Sequence, residues 1–211
     1  MDLSNPLGSL LPANEARALR VLARLESPIS GRQVHALAGE GSYSGMRLAL
    51  ERLCVSGLVE GNPSSSSTNY AINRDHLLWQ PIKDILESRS RLFRNIRNHL
   101  TNSPEDDAEQ LTLSVSLYGS VARGDSGAAS DVDLAVVYEN EMQKAQEHVA
   151  VETLVWQIER WTSSAVQLYD VTRAELAAMA RSQDPIIDSW VADSVTVMGP
   201  SISTLIAQGS R

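Results

Sequence analysis

The sequence predicts an α+β protein in which a helical N-terminal part, a long connecting helix and a mixed C-terminal part follow one another along 211 residues. Three observations support this order. Apolar residues recur at helical spacing through about the first hundred residues, and farther along they alternate with polar residues as in strands. Charge divides the chain as well, since residues 1–80 carry 7 basic and 7 acidic side chains and residues 104–211 carry 6 and 17. We therefore place domains at residues 1–74 and 104–211, with the connecting helix at residues 75–103.

Composition excludes several classes of protein. A chain that is 43% hydrophobic and 21% charged can build a packed core, and it lacks the low hydropathy of disordered chains. No stretch reaches the roughly 18 apolar residues that a membrane-spanning helix needs, and the N-terminus does not have the pattern of an export signal. Because Cys54 is the single cysteine, we expect no internal disulfide and a cytoplasmic location.

The N-terminal elements follow from helical spacing and from turn residues. We predict a helix over Asn14–Glu26 with Asn14 as its N-cap, and a short helix over Arg32–Ala38. After a glycine-rich turn, a further helix is predicted over Ser42–Ser56. Two strands, Leu58–Glu60 and Asn69–Ile72, then form a hairpin.

This succession resembles the winged helix-turn-helix domain over residues 13–73, with the phrase ALERLCVSGLVE similar to a recognition helix that runs into a wing strand. The resemblance implies that the helix from Ser42 enters the major groove of duplex DNA. The side chains that contact the DNA bases would be those of Ser42, Tyr43, Ser44 and Arg47. The alternative is a protein-interaction module, because the serine-rich wing loop has no Lys or Arg to hold a phosphate.

The connecting segment predicts one long amphipathic helix from Asp75 to Leu100, with a kink near Pro81. Its later turns carry a cluster of arginines: Arg89, Arg91, Arg94 and Arg97. These arginines form either a solvated face or a basic strip that contacts DNA or the acidic domain. The acidic loop TNSPEDDAEQ follows, and we expect the sheet of the second domain to begin at Leu111.

The segment LTLSVSLYGSVARGDSGAASDVDLAVVYE carries the chemistry of the chain. A strand ends at Gly119-Ser120, where a turn opens a short helix whose backbone N–H groups suit a phosphate. A loop then returns to a second strand that contains Asp131 and Asp133. Residues two apart on a strand share a face, so these carboxylates lie side by side and repel each other. A hard divalent cation such as Mg²⁺ removes that repulsion.

The phrase GSVARGDSGAASDVDL resembles the signature of the polymerase-beta nucleotidyltransferase superfamily, in its minimal nucleotidyltransferase branch. The resemblance extends over about residues 83–200, and it implies a small mixed sheet flanked by helices. Further elements are expected at Glu141–Trp161 (helix), at Ala165–Tyr169 (strand) and in the helix and strand of DPIIDSWVADSVTVMG.

The resemblance also implies roles for individual residues. Gly119, Ser120 and Ser130 would contact the triphosphate of an NTP. Asp131 and Asp133 would be catalytic and would bind Mg²⁺, with Mn²⁺ as the alternative. A hydroxyl acceptor would attack the α-phosphorus, and pyrophosphate would leave. Arg123 either adds positive charge near the phosphates or pairs with Asp125, and the sequence leaves both open.

One position departs from the family pattern. The family has a third carboxylate on the third strand, and here the matching phrase is Val166-Gln167-Leu168. An amide is a poor metal ligand and cannot act as a general base. Asp170 lies three residues on, so strand alternation directs it to the opposite face.

Two functions remain open from the sequence. The first is a Mg²⁺-dependent nucleotidyltransferase with a DNA-binding or targeting N-terminal domain. The second is a DNA-binding regulator or antitoxin-like protein whose degenerate transferase domain only binds a nucleotide or a partner. We expect an NTP and duplex DNA as ligands and no membrane, while a homodimer, the acceptor and the identity of the NTP stay open.

Overall fold

The computed structural model describes residues 1–64, 67–101 and 112–209. The described chain divides into two units. Residues 5–88 form the N-terminal unit, and residues 1–4 together with the residues from Arg89 onward form the C-terminal unit. Of the predicted features, the acidic loop beyond Thr101 and the strand start at Leu111 lie outside the described residues.

The N-terminal unit contains helices and short strands in the predicted order. After a 3-10 helix at Pro6–Ser9 come α1 (Ala13–Ala23), β1 (Ile29–Ser30), α2 (Gly31–Ala38), α3 (Tyr43–Val55), β2 (Val59–Pro63), β3 (Thr68–Ile72) and α4 (Trp79–Leu86). The strands form an antiparallel sheet in the order β1-β3-β2. The prediction of the hairpin is confirmed, whereas β1, only two residues long, gave no periodic signal.

Side chains at the helix ends explain where these helices begin. Ser30 and Gln33 form a capping box at the start of α2, and Ser42 caps α3 by accepting a hydrogen bond from the backbone N–H of Gly45. The prediction that Asn14 caps the first helix is wrong, because α1 begins at Ala13 behind Pro12. Pro12 itself occupies the N-cap position, without a side-chain cap, so Asn14 lies inside the first turn.

The core of the N-terminal unit lies between its helices and its sheet. Helical spacing directs apolar side chains of α1, α2 and α3 inward, where they are almost completely buried. The fully buried members include Leu19, Leu22, Val34, Met46 and Leu50. The residues of this core all lie within the N-terminal unit.

The connecting segment is not one helix, and the prediction of a continuous helix with a kink at Pro81 is wrong. Helix α4 ends at Leu86, and α5 runs over Ser88–Thr101. Pro81 lies in the first turn of α4, where its missing N–H breaks no helical hydrogen bond, so it bends nothing. The Ser88 hydroxyl donates to the carbonyl of Ile85 at 2.6 Å and closes the end of α4.

The C-terminal unit is a mixed sheet with helices on both faces, as predicted. Its elements after α5 are β4 (Thr112–Tyr118), α6 (Gly119–Arg123), β5 (Val132–Tyr138), α7 (Glu141–Thr162), β6 (Val166–Thr172), α8 (Arg173–Ser182), α9 (Pro185–Asp193), β7 (Val195–Met198) and α10 (Ile202–Gly209). The strand order is β6-β5-β4-β7. Strands β5 and β6 run parallel to each other, and β4 runs antiparallel to both β5 and β7. The sequence did not predict α8 and α10.

Alternation along β5 explains why both faces of the sheet are covered. Leu134 and Val136 pack into one cluster with side chains of α5 and α7. Ala135 and Val137 pack into another cluster with side chains of α8, α9 and α10, including the fully buried Trp190. A strand with apolar residues at both parities needs cover on both sides, which a three-layer arrangement supplies. Within the described residues, no helix is long and apolar enough to cross a membrane.

Candidate functional site

Two carboxylates lie together at the start of β5. Asp131 immediately precedes the strand, and Asp133 pairs with Tyr118 of β4 on one side and with Gln167 of β6 on the other. Asp131 is exposed and Asp133 is half-buried. The structure therefore brings together the two residues that the spacing Asp-x-Asp predicts on one face.

Gly119 allows the short helix α6 to begin against Asp133. Its φ of +66° is in the left-handed region, where side chains are disfavoured. A Cβ at this position would lie 3.0 Å from the Cγ of Asp133 and closer still to its Oδ2. No side chain caps the N-terminus of α6, which begins with Gly119 and Ser120. Backbone N–H groups of this turn and the Asp133 carboxylate thus lie within one small region.

The electrostatics of the pair fit a site for a cation. Partial burial and the neighbouring charge of Asp131 raise the pKa of Asp133, while the Arg123 guanidinium opposes this shift. The raised pKa means that the ionised form of Asp133 is less stable in the folded protein than it would be in water. A bound cation would reverse that preference by compensating both negative charges.

Gln167 occupies the place where the third carboxylate was expected. Its Nε2 donates a hydrogen bond of 3.3 Å to Oδ2 of Asp131. Asp170 lies on the other face, as strand alternation predicts, where its carboxylate pairs with Lys144 at 3.5 Å. Among the residues that the structure describes, no group of three His, Cys, Asp or Glu side chains could hold a metal ion. The site thus offers two carboxylates and an amide.

The other predicted phosphate contacts have partners within the protein. Arg123 forms ion pairs with Asp125 at 3.1 Å and with Asp193 at 2.7 Å, so pairing with Asp125, one of the two alternatives, is observed. The Ser130 hydroxyl accepts a hydrogen bond of 2.9 Å from the backbone N–H of Gly127. Both residues thereby stabilise the loop between α6 and β5 and the position of Asp131.

The sequence left open whether Arg89 contacts the acidic domain, and the structure shows that it does so at α6, a place that the sequence did not identify. Its guanidinium donates to the carbonyl oxygens of Val121, at 2.6 Å, and of Ala122 at the end of α6. A cation suits the negative end of a helix and satisfies carbonyls that lack an intrahelical partner. No local signal identifies this contact, since Arg89 lies 32 residues before Val121.

The predicted DNA-reading residues lie together at the start of α3. The Ser42 hydroxyl is the N-cap, and it lies 3.2 Å from the Ser44 hydroxyl. Tyr43 is exposed and packs edge-on against His35, with 5.9 Å between ring centroids. Arg47 forms an exposed ion pair with Glu51 on the same helix. These side chains are on the surface, and most of their polar groups have local partners.

Comparison with known proteins supports the predicted resemblance of the C-terminal unit to nucleotidyltransferases. Residues 108–184, a little over a third of the chain, match the family described as polymerase beta, nucleotidyltransferase. This range includes the Gly119-Ser120 turn, both aspartates and Gln167. Over this range the C-terminal unit is therefore similar to nucleotidyltransferase domains. No curated protein matches the chain.

Solved structures give weaker similarities. A mutant MntA–HpeT toxin–antitoxin structure is 16% identical, with a TM-score of 0.37, and the alignment covers 56% of this chain and 83% of that chain. The structure of the tri-AMPylated Shewanella oneidensis HEPN toxin in complex with MNT antitoxin is 17% identical, with a TM-score of 0.34. That alignment covers 58% of this chain and 83% of that chain. TrmBL2, an archaeal chromatin protein with a novel mode of DNA binding, is 14% identical, with a TM-score of 0.32. That alignment covers 88% of this chain and 75% of that chain. These scores are too low to support an argument about this chain.

Proposed function

We propose that the C-terminal unit binds an NTP together with a divalent cation and transfers its nucleoside monophosphate to a hydroxyl acceptor. The observation that carries this proposal is the close approach of the Gly119 backbone to the half-buried Asp133 beside Asp131. Phosphate donors and cation ligands need to be adjacent for this chemistry, because the cation and the protein hold the same phosphates.

The donor set of this site fits Mg²⁺, with Mn²⁺ as the alternative. Hard cations prefer carboxylate oxygens, and Mg²⁺ is commonly held by one or two carboxylates together with substrate phosphates. Asp131 and Asp133 would hold it, and the raised pKa of Asp133 reflects a negative charge that a cation would stabilise. When bound, the cation supplies compensation of charge on the α-phosphoryl group and lowers the pKa of the acceptor hydroxyl.

The chain's own residues bind and orient the phosphates. N–H groups at the start of α6, from Gly119 and Ser120, would donate to phosphate oxygens and keep the leaving pyrophosphate in line with the attacking oxygen. Arg89 fixes the far end of α6 through its carbonyls, so it would act as a positioning residue. Arg123 adds positive charge near Asp133 while it holds the loop through Asp125 and Asp193.

Isothermal titration calorimetry tests the binding step. In the presence of Mg²⁺, we expect Asp133→Asn to weaken NTP binding by more than about tenfold, the scale of losing a charged ligand. Asp188→Asn is the matched control, since Asp188 is exposed on α9 and its loss removes the same charge from the same unit. Equal affinities of wild type and Asp133→Asn would refute the proposal, and NTP binding retained in EDTA would exclude the cation.

A second candidate function is nucleotide binding without turnover, and Gln167 favours it. Its amide donates to Asp131 and cannot accept a proton from the acceptor hydroxyl. On this proposal the protein is a regulator or an antitoxin-like protein that senses a nucleotide. The two candidates share the site and differ only in the fate of the bound NTP.

Substitution at Gln167 separates these candidates. We expect weak or absent transfer of labelled nucleotide by the wild type and higher transfer by Gln167→Asp, because a third carboxylate completes the ligand set. The variant should bind metal more tightly and be less stable without it, since three anions repel. Asp170→Asn is the control on the other face of β6. Robust wild-type transfer that Asp170→Asn leaves intact would show that two carboxylates suffice.

We propose that the N-terminal unit is a winged helix-turn-helix domain. It would bind duplex DNA and thereby bring the C-terminal unit to that DNA. Supporting this are the order of α1, α2, α3 and the β2–β3 hairpin, and the balanced charge of residues 1–80. Helix α3 would enter the major groove, where Tyr43 and Arg47, both exposed, would contact the DNA. The competing role is contact with a protein, including a second copy, because Leu48 and Val55 are exposed on the same helix.

A further inference from the structure

A groove of about 510 Å³ lies in the C-terminal unit beside the outer edge of β6. Its lining comes from that strand and from α8, and it includes Leu168, Tyr169, Asp170, Val171, Glu175 and Met179. The first lining residue, Leu168, directly follows Gln167 on β6, so the groove and the candidate phosphate and cation site share this strand. Tyr169 follows Gln167 by two residues, which span about 6–7 Å on a strand.

The Tyr169 ring lies on the face of the sheet that carries Asp133 and Gln167. It retains 37% of its exposure, although it packs edge-on against the buried Trp190, with 5.1 Å between ring centroids and 82° between the planes. Trp190 in turn packs against Tyr118, the cross-strand partner of Asp133. Tyr169 is therefore a held but accessible aromatic ring, which can stack on a planar ligand at little entropic cost.

The backbone of β6 also presents polar groups to this groove. The Ala165 carbonyl accepts a hydrogen bond from the N–H of Val132 in the parallel pairing with β5. Because successive residues of a strand direct their backbone groups to opposite sides, the even-numbered residues of β6 face outward. The outward direction of Asp170 agrees, since its carbonyl accepts a hydrogen bond of 3.0 Å from Lys144.

Side chains block both ends of this outer edge. The N–H of Val166 donates to Glu159, and the N–H of Thr172 donates to Glu175. Between them, the N–H and C=O of Leu168 and the N–H of Asp170 have no hydrogen-bond partner among the described residues. An added β-strand would need the whole edge, whereas a small planar ligand needs only this central part.

The acidic side chains of the groove do not make it a site for a cation. The Glu175 carboxylate accepts hydrogen bonds from the backbone and hydroxyl of Thr172, which lower its pKa. The Asp170 carboxylate pairs with Lys144. With both acids engaged, the remaining surface is an aromatic ring, apolar side chains and neutral backbone donors and acceptors. This chemistry fits an uncharged heterocycle.

We infer that the groove is the nucleobase subsite of the C-terminal unit, where the base of the NTP stacks on Tyr169 and hydrogen-bonds to the outer edge of β6. The inference rests on the proposed function, since it extends the same bound nucleotide. Stacking increases with the area of the base, and backbone groups at Leu168 and Asp170 can match donors and acceptors of either purine. The subsite therefore favours purine over pyrimidine nucleotides.

Calorimetry with the full chain in Mg²⁺ tests this subsite, with ATP, GTP, UTP and inorganic tripolyphosphate as probes. We expect wild type to bind ATP and GTP more tightly than UTP or tripolyphosphate. Tyr169→Ala should weaken ATP binding roughly tenfold, by the usual scale of base stacking on an aromatic ring, and leave tripolyphosphate binding unchanged. Tyr169→Phe should keep the wild-type affinity, and Trp156→Ala controls for removal of an exposed aromatic ring elsewhere in the unit.

The outcomes separate failure of the subsite from failure of the proposed function. If wild type binds ATP no more tightly than tripolyphosphate, or if Tyr169→Ala affects the two probes equally, the subsite is refuted while the phosphate site stands. If wild type binds neither probe, the proposed function fails, and the subsite fails with it. Unchanged ATP affinity in Tyr169→Ala also refutes the role of Tyr169.

Discussion

The candidate sites of the two units differ in how far their polar side chains have partners within the protein. In the C-terminal unit, Asp131 and Asp133 lie beside each other, and the pKa of Asp133 stays raised although Arg123 opposes the shift. In the N-terminal unit, Ser42 caps its own helix and Arg47 pairs with Glu51. Uncompensated charge in a folded site indicates a ligand, whereas a satisfied surface group is compatible with many partners. The comparison explains why chemistry can be assigned more sharply in the C-terminal unit.

The largest effect is expected from a pair of glycine substitutions, one in each unit. Gly119 and Gly39 both have positive φ, of 66° and 77°, but only a Cβ at Gly119 would meet another group, the Asp133 carboxylate. Gly39→Ala should lower the free energy of unfolding by about 1 kcal/mol through backbone strain alone. Gly119→Ala should cost about 3 kcal/mol or more, and it should abolish NTP binding because Asp133 is displaced.

Urea unfolding and calorimetry on the full-length variants measure both consequences. Gly39→Ala is the control for backbone strain, since a Cβ at Gly39 would have no neighbouring atom within 4 Å. If the two variants lose equal stability and Gly119→Ala still binds an NTP, close approach of the α6 backbone is not required, and the contrast between the units weakens.

An intermediate effect is expected at the candidate DNA-reading helix. Arg47→Ala removes an exposed ion pair, so the free energy of unfolding should change by only about 0.3–0.5 kcal/mol. Binding to a duplex enriched from a random pool should weaken by about tenfold, and more than binding to random-sequence DNA, because a base contact is lost. Fluorescence anisotropy at low salt measures both affinities.

The control for this substitution is Arg24→Ala, which removes the same charge from an exposed position at the end of α1. Equal losses in the two variants would indicate a purely electrostatic contribution and no reading by α3. Absence of DNA binding by the full chain at low salt would instead favour a protein-interaction role for the N-terminal unit.

The smallest effect is a pH-dependent stabilisation of the cation-free protein. Because the folded state raises the pKa of Asp133, ionisation of this group costs stability at neutral pH, and the cost disappears as pH falls below its unfolded pKa. Asp133→Asn should therefore raise the unfolding midpoint at pH 7 in EDTA, and the difference should vanish near pH 3. A lower midpoint at pH 7 would contradict the burial and repulsion that we assign to the pair.

Local rules explain which parts of the site could be predicted from the sequence. Turn chemistry at Gly119 and alternation through Asp131 and Asp133 act over a few residues, and the structure places these groups together as expected. The same alternation predicted that Gln167, and not Asp170, lies beside the pair. These relations depend on neighbours along one strand or across one pairing.

Other features depend on contacts distant in sequence and could not be predicted. Contact of Arg89 with the acidic domain was one alternative from the sequence, but its partners at the end of α6 are backbone carbonyls, which carry no side-chain signal. The break between α4 and α5 occurs where the Ser88 hydroxyl satisfies a carbonyl, although helical periodicity continues across it. The Tyr169 ring is held by Trp190 of α9, and packing between separate elements determines that contact.

The position of Gln167 beside Asp131 has a genetic consequence. A change of the first base converts either glutamine codon to a glutamate codon, so a third carboxylate is a single mutation away. Selection for faster nucleotide transfer would favour this change to glutamate. Selection for binding an intact nucleotide would disfavour it, because a third carboxylate would promote transfer. Saturation mutagenesis at this codon, with selection in living cells, would therefore show whether glutamine or an acidic residue is retained at position 167.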